Sequence, residues 1–189
     1  MSIKVLGLCG SMKPNSSTAF LLHMCLDEAK KHGAETKFYD LAERPLPFCD
    51  ARHDGTTYPE EVHTFRNLVR EAEGIIIATP DYHNSFTGSL KNAIDLCGFD
   101  EFEGKMVGII GVAGGSLGAP NAISHLRAVM RAVGAWVVPH QVSVANSNKM
   151  FGGPNKLADE ALEKRVIKLG RDVARFARLH HQGLLTTEQ

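Results

Sequence analysis

Five apolar runs rich in β-branched residues punctuate the chain: Ile3–Leu8, Thr36–Leu41, Gly74–Thr79, Met106–Ala113 and Ala135–Val144. Most are continuous rather than alternating, the pattern of strands covered on both faces. Between them, apolar positions recur with helical period. In Ser17–Lys31 the set is Phe20, Leu21, Met24, Cys25 and Ala29, and Gly33 stands where a C-terminal cap belongs. Pro59–Ala72 opens with proline and two glutamates, a favourable first turn. Ser89–Cys97, Ala119–Ala132 and Lys156–His180 supply three more helices. Strand and helix alternate five times, which predicts a parallel sheet with helices on both faces.

With 189 residues the chain is too short for a closed eight-stranded barrel. A doubly wound five-stranded parallel sheet is the economical α/β solution, either flavodoxin-like in order 2-1-3-4-5 or a truncated Rossmann half. No repeat, low-complexity tract or linker interrupts it, so residues 1–182 read as one domain and 183–189 as a flexible tail. Both sheet types place ligands beyond the carboxyl ends of the strands, where the strand order switches. Function is therefore to be sought in the loops after the strands.

Charge narrows the partners. Lys plus Arg and Asp plus Glu are 21 each, a formal net charge of zero. That gives no global attraction for nucleic acid or an anionic membrane surface. The opening "MSIKVLGLCGS" has too short an apolar run for a signal sequence, and no segment reaches the roughly 18–20 apolar residues of a spanning helix. Cys9, Cys25, Cys49 and Cys97 are widely spaced without a C-x-x-C pair. They read as reduced, mostly structural thiols of a cytoplasmic protein, with no metal site. Cys9 and Cys97 are expected to be packing thiols, and Trp136 to lie in the core or at an interface.

Three loops carry the chemistry. After strand 1, "CGSMKPNSST" sets Ser11, Ser16, Ser17, Thr18 and Lys13 just ahead of a helix, whose N-terminal N–H groups suit a phosphate. One cap needs one hydroxyl, and this loop has four with a lysine, which favours phosphate binding over capping alone. It lacks both G-x-x-x-x-G-K-[ST] and G-x-G-x-x-G, which disfavours a triphosphatase or a standard dinucleotide fold. After strand 3, "TPDYHNSFTGSLKNAIDL" supplies the aromatic Tyr82, polar tips at His83, Asn84 and Ser85, then Phe86. Those types suit the face and edge of a planar heterocycle. After strand 4, "AGGSLGAPN" lets Gly114, Gly115 and Gly118 around Ser116 approach a ligand by backbone. In the order 2-1-3-4-5, strands 1, 3 and 4 are neighbours, so the three loops form one rim. Neither a Ser-His-Asp ordering nor a hydrolytic carboxylate pair stands out.

These stretches resemble the NADPH-dependent FMN reductase family, flavodoxin-like two-electron flavoenzymes that include quinone, azo-dye and chromate reductases. The likeness rests on "GSMKPNSST" (Gly10–Thr18), "TPDYHNSFTGSLKNAID" (Thr79–Asp95) and "GGSLGAPNAISHLRAVMRAVGAWVVP" (Gly114–Pro139) and on their spacing. The second motif is the most specific, and the last helix resembles nothing diagnostic. The resemblance implies tightly bound FMN, with its phosphate on Ser11, Lys13, Ser16, Ser17 and Thr18. It implies that Pro80, Asp81, Tyr82, His83, Asn84 and Ser85 line the flavin and ribityl region, and that Gly114, Gly115, Ser116 and Gly118 approach the ring.

It further implies ping-pong transfer from NADPH or NADH through FMN to a quinone, free flavin, azo compound or similar acceptor. No side chain acts as acid or base, and Tyr82 and His83 orient cofactor and acceptor. Homodimers or homotetramers are expected. The chain departs from the family pattern at four positions. Lys13 stands for a frequent Arg and loses a bidentate fork. Thr87 stands for a frequent Pro, Leu96 for an aromatic, and His83 for the commoner Asn. The competing readings are a non-enzymatic flavodoxin-type carrier, for which a zero net charge offers no acidic docking surface, and a flavin-binding scaffold.

Overall fold

A computed structural model of the chain describes residues 2–52, 55–153 and 156–187. Four fully formed strands carry the sheet: β1 (Ile3–Cys9), β2 (Ala34–Asp40), β3 (Gly74–Pro80) and β4 (Met106–Val112). They pair in parallel in the order β2-β1-β3-β4, followed by β5 (Trp136–Val137). This is the 2-1-3-4-5 order of the flavodoxin-like alternative.

Continuous apolar strands are what a two-faced sheet needs, because successive side chains point to opposite sides. In β3, Ile76 and Ala78 enter one core while Ile75 and Ile77 enter the other. In β4, Ile110 and Val112 share the first core, and Val107 and Ile109 the second. The first core is closed by α1 (Ser17–Lys31) and α6 (Glu160–Thr187), the second by α2 (Glu60–Glu71), α3 (Gly88–Asp95) and α5 (Pro120–Ala132). The outer strand β2 alternates in burial from Ala34 to Phe38, with Glu35 and Lys37 exposed, and Tyr39 beyond them on their face is buried in the second core.

Helix α1 and α6 cross closely. The Cys25 thiol donates to the Val166 carbonyl at 3.1 Å, and a Cβ on Gly170 would stand 2.2 Å from the Cys25 carbonyl oxygen. Burial pushes the Cys25 and Cys97 thiols well above their ordinary range, and Cys9 up to about 11. All three are protonated at neutral pH, which fits packing thiols.

The structure corrects the sequence reading at several places. The fifth run, Ala135–Val144, is two strands along one edge of β4. Trp136 pairs with Met106, and β6 (Val142–Val144) resumes at Ile110. Pro139 lies in the gap, without the N–H a continuous ladder needs. Trp136 is 63% exposed on this edge and so does not belong to the core. A one-turn helix α4 (Phe99–Phe102) precedes β4, and a hairpin of β7 (Phe151–Gly153) and β8 (Lys156–Leu157) precedes α6. The last helix therefore starts at Glu160, behind Asp159, whose carboxylate accepts from Ala161 N at 2.8 Å. It continues through 183–187, the stretch expected as a flexible tail; that expectation for 188 and 189 lies outside the described residues.

Candidate functional site

The carboxyl ends of β1, β3 and β4 deliver three loops to one rim, as the strand order requires. The first, from Gly10 to Ser16, turns the chain into α1. Ser16 is the N-cap: its hydroxyl accepts from Ala19 N at 3.1 Å. Ser11 accepts from Lys13 N at 3.2 Å, folding the loop back on itself, and Asn15 takes a left-handed backbone at φ 50°. Ser11, Ser16 and Thr18 are buried, Ser17 is half-buried and Lys13 is exposed. Capping thus accounts for Ser16 alone. The remaining N–H groups of the first turn have no partner within the helix, and Lys13 adds a positive charge beside them. A helix start of this kind favours negative charge over positive.

The second loop leaves β3 at Pro80, whose neighbour in the register is Val112; Asp81 N donates to the Val112 carbonyl at 2.7 Å. Tyr82 and Ser85 then exchange backbone hydrogen bonds of 2.9 and 3.2 Å around His83 and Asn84. Both central residues have positive φ, 56° and 64°, as a tight type I′ turn demands. Asn and His tolerate that region better than most residues. Asp81 steadies the turn by accepting from Asn84 N at 3.0 Å. Tyr82 is 54% exposed, and His83 and Asn84 point outward with it. Ser85 is within 3.1 Å of His125 Nδ1, which ties the turn to α5.

The third loop runs from Ala113 to Ala119. Gly118 has φ 71°, and a Cβ there would come within 2.6 Å of Ser143 Oγ. The same Ser143 hydroxyl accepts from Ala119 N at 2.9 Å, while Asn146 N reaches the Gly115 carbonyl at 2.9 Å. Gly114, Gly115 and Ser116 remain exposed, and nothing lies within 4 Å of a Cβ built on either glycine.

A set of buried hydroxyls outside the expected site stitches the first loop to the second. Thr87 donates to the Gly10 carbonyl at 2.7 Å and caps α3 by accepting from Leu90 N at 3.3 Å. Ser89 reaches the same carbonyl at 3.1 Å, and Thr87 N donates to Thr79 Oγ1 at 3.2 Å. A Cβ on Gly10 would lie 3.0 Å from Leu90 Cβ, so the backbone approaches α3 as closely as glycine permits. Thr87, Ser89, Ser143 and His125 were not among the residues expected from the sequence. The signal for Thr87 was present in "TGSLKN", a threonine directly ahead of a helical run.

The expected site residues therefore lie on loops that meet at a single rim, and the Thr18 side chain is buried. The start of α1 is followed along the rim by an aromatic turn and an open glycine edge. The strand order and the helices on both faces define a flavodoxin-like protein. Residues 3–149 match the family described as NADPH-dependent FMN reductase, and the chain belongs to that family.

Among curated relatives, the FMN-dependent NADPH-azoreductase of Staphylococcus saprophyticus is 32% identical over 169 residues, covering 87% of this chain and 89% of that protein. Its Staphylococcus aureus counterpart is 34% identical over 171 residues, with the same coverage of 87% and 89%. The fold is shared with the flavoenzyme NAD(P)H:(acceptor) oxidoreductase FerB of Paracoccus denitrificans, with a TM-score of 0.75, 21% identity and coverage of 94% and 98%. An apo NADH:FMN oxidoreductase superposes with a TM-score of 0.74 at 18% identity, covering 92% of this chain and 89% of the other. No helix among the described residues is long and apolar enough to cross a membrane, and no cluster of metal-ligating side chains occurs among them.

Proposed function

We propose that the chain is an FMN-dependent NAD(P)H oxidoreductase that delivers electrons to a small azo, quinonoid or flavin acceptor. One observation carries the reading: the loops after β1, β3 and β4 form a continuous rim that offers an anion site, an aromatic turn and an open backbone edge in sequence. The residues present fit FMN. The open space at Gly114 and Gly115 admits a flat ring against the backbone, and the α1 N-terminus with Lys13 suits a phosphate.

FMN, when bound, supplies two-electron chemistry that no side chain of the site could perform. The chain's own part is to bind and orient. Ser11, Lys13, Ser16, Ser17 and Thr18 would hold the phosphate end. Pro80, Asp81, Tyr82, His83, Asn84 and Ser85 would form one wall. Gly114, Gly115, Ser116 and Gly118 would present the other, where backbone N–H groups stabilise negative charge without reorganising. The turn at His83 and Asn84 fixes where Tyr82 stands, so orientation by His83 is achieved through its backbone.

The same reading includes a cytoplasmic location and a homodimer or homotetramer, whose mass light scattering of the purified protein measures. The decisive test mixes purified protein, FMN, NADPH or NADH, and either a quinone or an azo dye. Oxidation of the nicotinamide no faster than in the protein-free control defeats the proposal.

A further inference from the structure

A cleft of about 400 Å³ opens on the α1 face of the sheet against the first rim loop, whose Pro14, Asn15 and Ser16 line one side of it. Phe20 of α1, Phe38 of β2 and Phe151 of β7 supply its apolar walls. Phe151 meets Phe20 edge-on at 5.0 Å between ring centroids, and His23 lies tilted on Phe38 at 4.1 Å. Two carboxylates, Asp40 at the end of β2 and Glu43 just beyond it, also line the cleft. Asp40 uses Oδ1 to accept from Ala42 N at 2.9 Å. Neither carboxylate forms an ion pair among the described residues. Phe151 stands outside the stretch matched to the family, so this wall is not part of the matched frame.

Aromatic walls favour a flat ring or an organic cation. Unpaired carboxylates accept N–H donors and repel anions. The volume falls within the range of small-molecule sites, roughly 300–1,000 Å³. We propose that this cleft is a second ligand site, taking a planar aromatic ring that carries amino or amidinium donors. Two sources share that chemistry. One is the adenine of the pyridine nucleotide, an assignment that rests on the reductase reading above; the other is a free aromatic ligand with a cationic nitrogen group, which does not depend on it.

Adenosine, benzamidine and benzoate, titrated calorimetrically into the FMN-saturated full chain, test the site. Adenosine or benzamidine binds in the millimolar range or tighter, and benzoate does not. The double variant Asp40→Asn, Glu43→Gln weakens that binding about tenfold, the loss expected for a hydrogen bond to a charged group. Tighter binding of adenosine identifies the nucleotide as the source, and binding of benzamidine alone identifies a free aromatic ligand with a cationic nitrogen group. Glu43 is exposed, so the single Glu43→Gln variant keeps the test open if the double variant melts early. Absence of binding by both ligands, equal binding of benzoate and benzamidine, or affinity unchanged in the carboxylate variants overturns the site. NADPH oxidation by the unaltered protein is measured separately, so failure of the cleft and failure of the reductase reading are told apart.

Discussion

Replacing Thr87 by Val removes one hydroxyl and leaves nearly the same volume, and the consequence can be worked from the structure. The change deletes the 2.7 Å bond to the Gly10 carbonyl and the cap on Leu90 N, while the Thr87 N–H to Thr79 remains available. Loss of an N-cap costs about 1 kcal/mol, and loss of a neutral buried hydrogen bond about another 1 kcal/mol. Ser89 can still serve the Gly10 carbonyl, so that oxygen is not orphaned and the total stays near 2 kcal/mol rather than higher. For a chain of this size that is a fall in Tm of roughly 4–8 °C.

The same bond holds the anion loop against α3. A ligand that needs the loop in place must then supply the ordering free energy itself, and each 1.4 kcal/mol weakens its Kd about tenfold. Thermal melting without added FMN and fluorescence titration with FMN are the two assays. Thr87→Val is expected to lower Tm and to weaken FMN binding by roughly ten- to thirtyfold. Thr87→Ser, which keeps the hydroxyl, should recover most of both. A Thr87→Val protein that melts early yet binds FMN as tightly as the parent would show that the stitch stabilises the fold without positioning the site.

Three further outcomes are expected. Gly170→Ala places a methyl against the Cys25 carbonyl, a backbone atom that cannot swing aside; overpacking of about 1–3 kcal/mol or more outweighs the helix gain of about 1 kcal/mol. Urea unfolding should show a net loss, and unchanged or higher stability refutes the close crossing. The thiols of Cys9, Cys25 and Cys97 have raised folded-state pKa values, so their contribution is complete below the unfolded value of about 8.5 and is lost as pH rises through the folded values. Tm should therefore fall between about pH 8.5 and 11, and less steeply in Cys25→Ala relative to its own neutral-pH value; equal slopes contradict the linkage. His83→Gly relieves a left-handed backbone worth about 1–2 kcal/mol and should hold or raise Tm, whereas His83→Val should lower it. If His83→Gly instead weakens FMN binding without touching stability, the side chain contacts the cofactor and the turn account fails.

The sheet was legible because its central strands are apolar on both faces. Ile75, Ile76 and Ile77 can be consecutive only where neither side meets water. The edge was harder. Hydrophobicity alone ran from Ala135 to Val144, while Pro139 already carried the information that the ladder breaks. The β7–β8 hairpin was hidden because the helical reading began at Lys156, directly after a Gly-Gly-Pro-Asn turn signal, and so absorbed Lys156 and Leu157, the second hairpin strand, into the helix. The rim itself could be inferred from strand order plus unusual loop chemistry. The stitching hydroxyls could not, since a buried Thr is indistinguishable in sequence from an ordinary cap until its long-range partner is known. His83 read as a polar tip because the left-handed φ that occupies it is a property of the folded turn.

The bond from Thr87 to Gly10 joins positions 77 apart in the sequence. Closing so long a stretch is entropically expensive and slow compared with forming either helix. During synthesis the anion loop therefore emerges well before the residues that anchor it, and it gains that anchor only once α3 is made. Any fragment ending before Thr87 contains the first loop but not the hydroxyl that anchors it. On the proposed site, cofactor loading belongs to the late, long-range stage of folding. FMN that binds the finished fold and not its precursors draws the equilibrium toward completion.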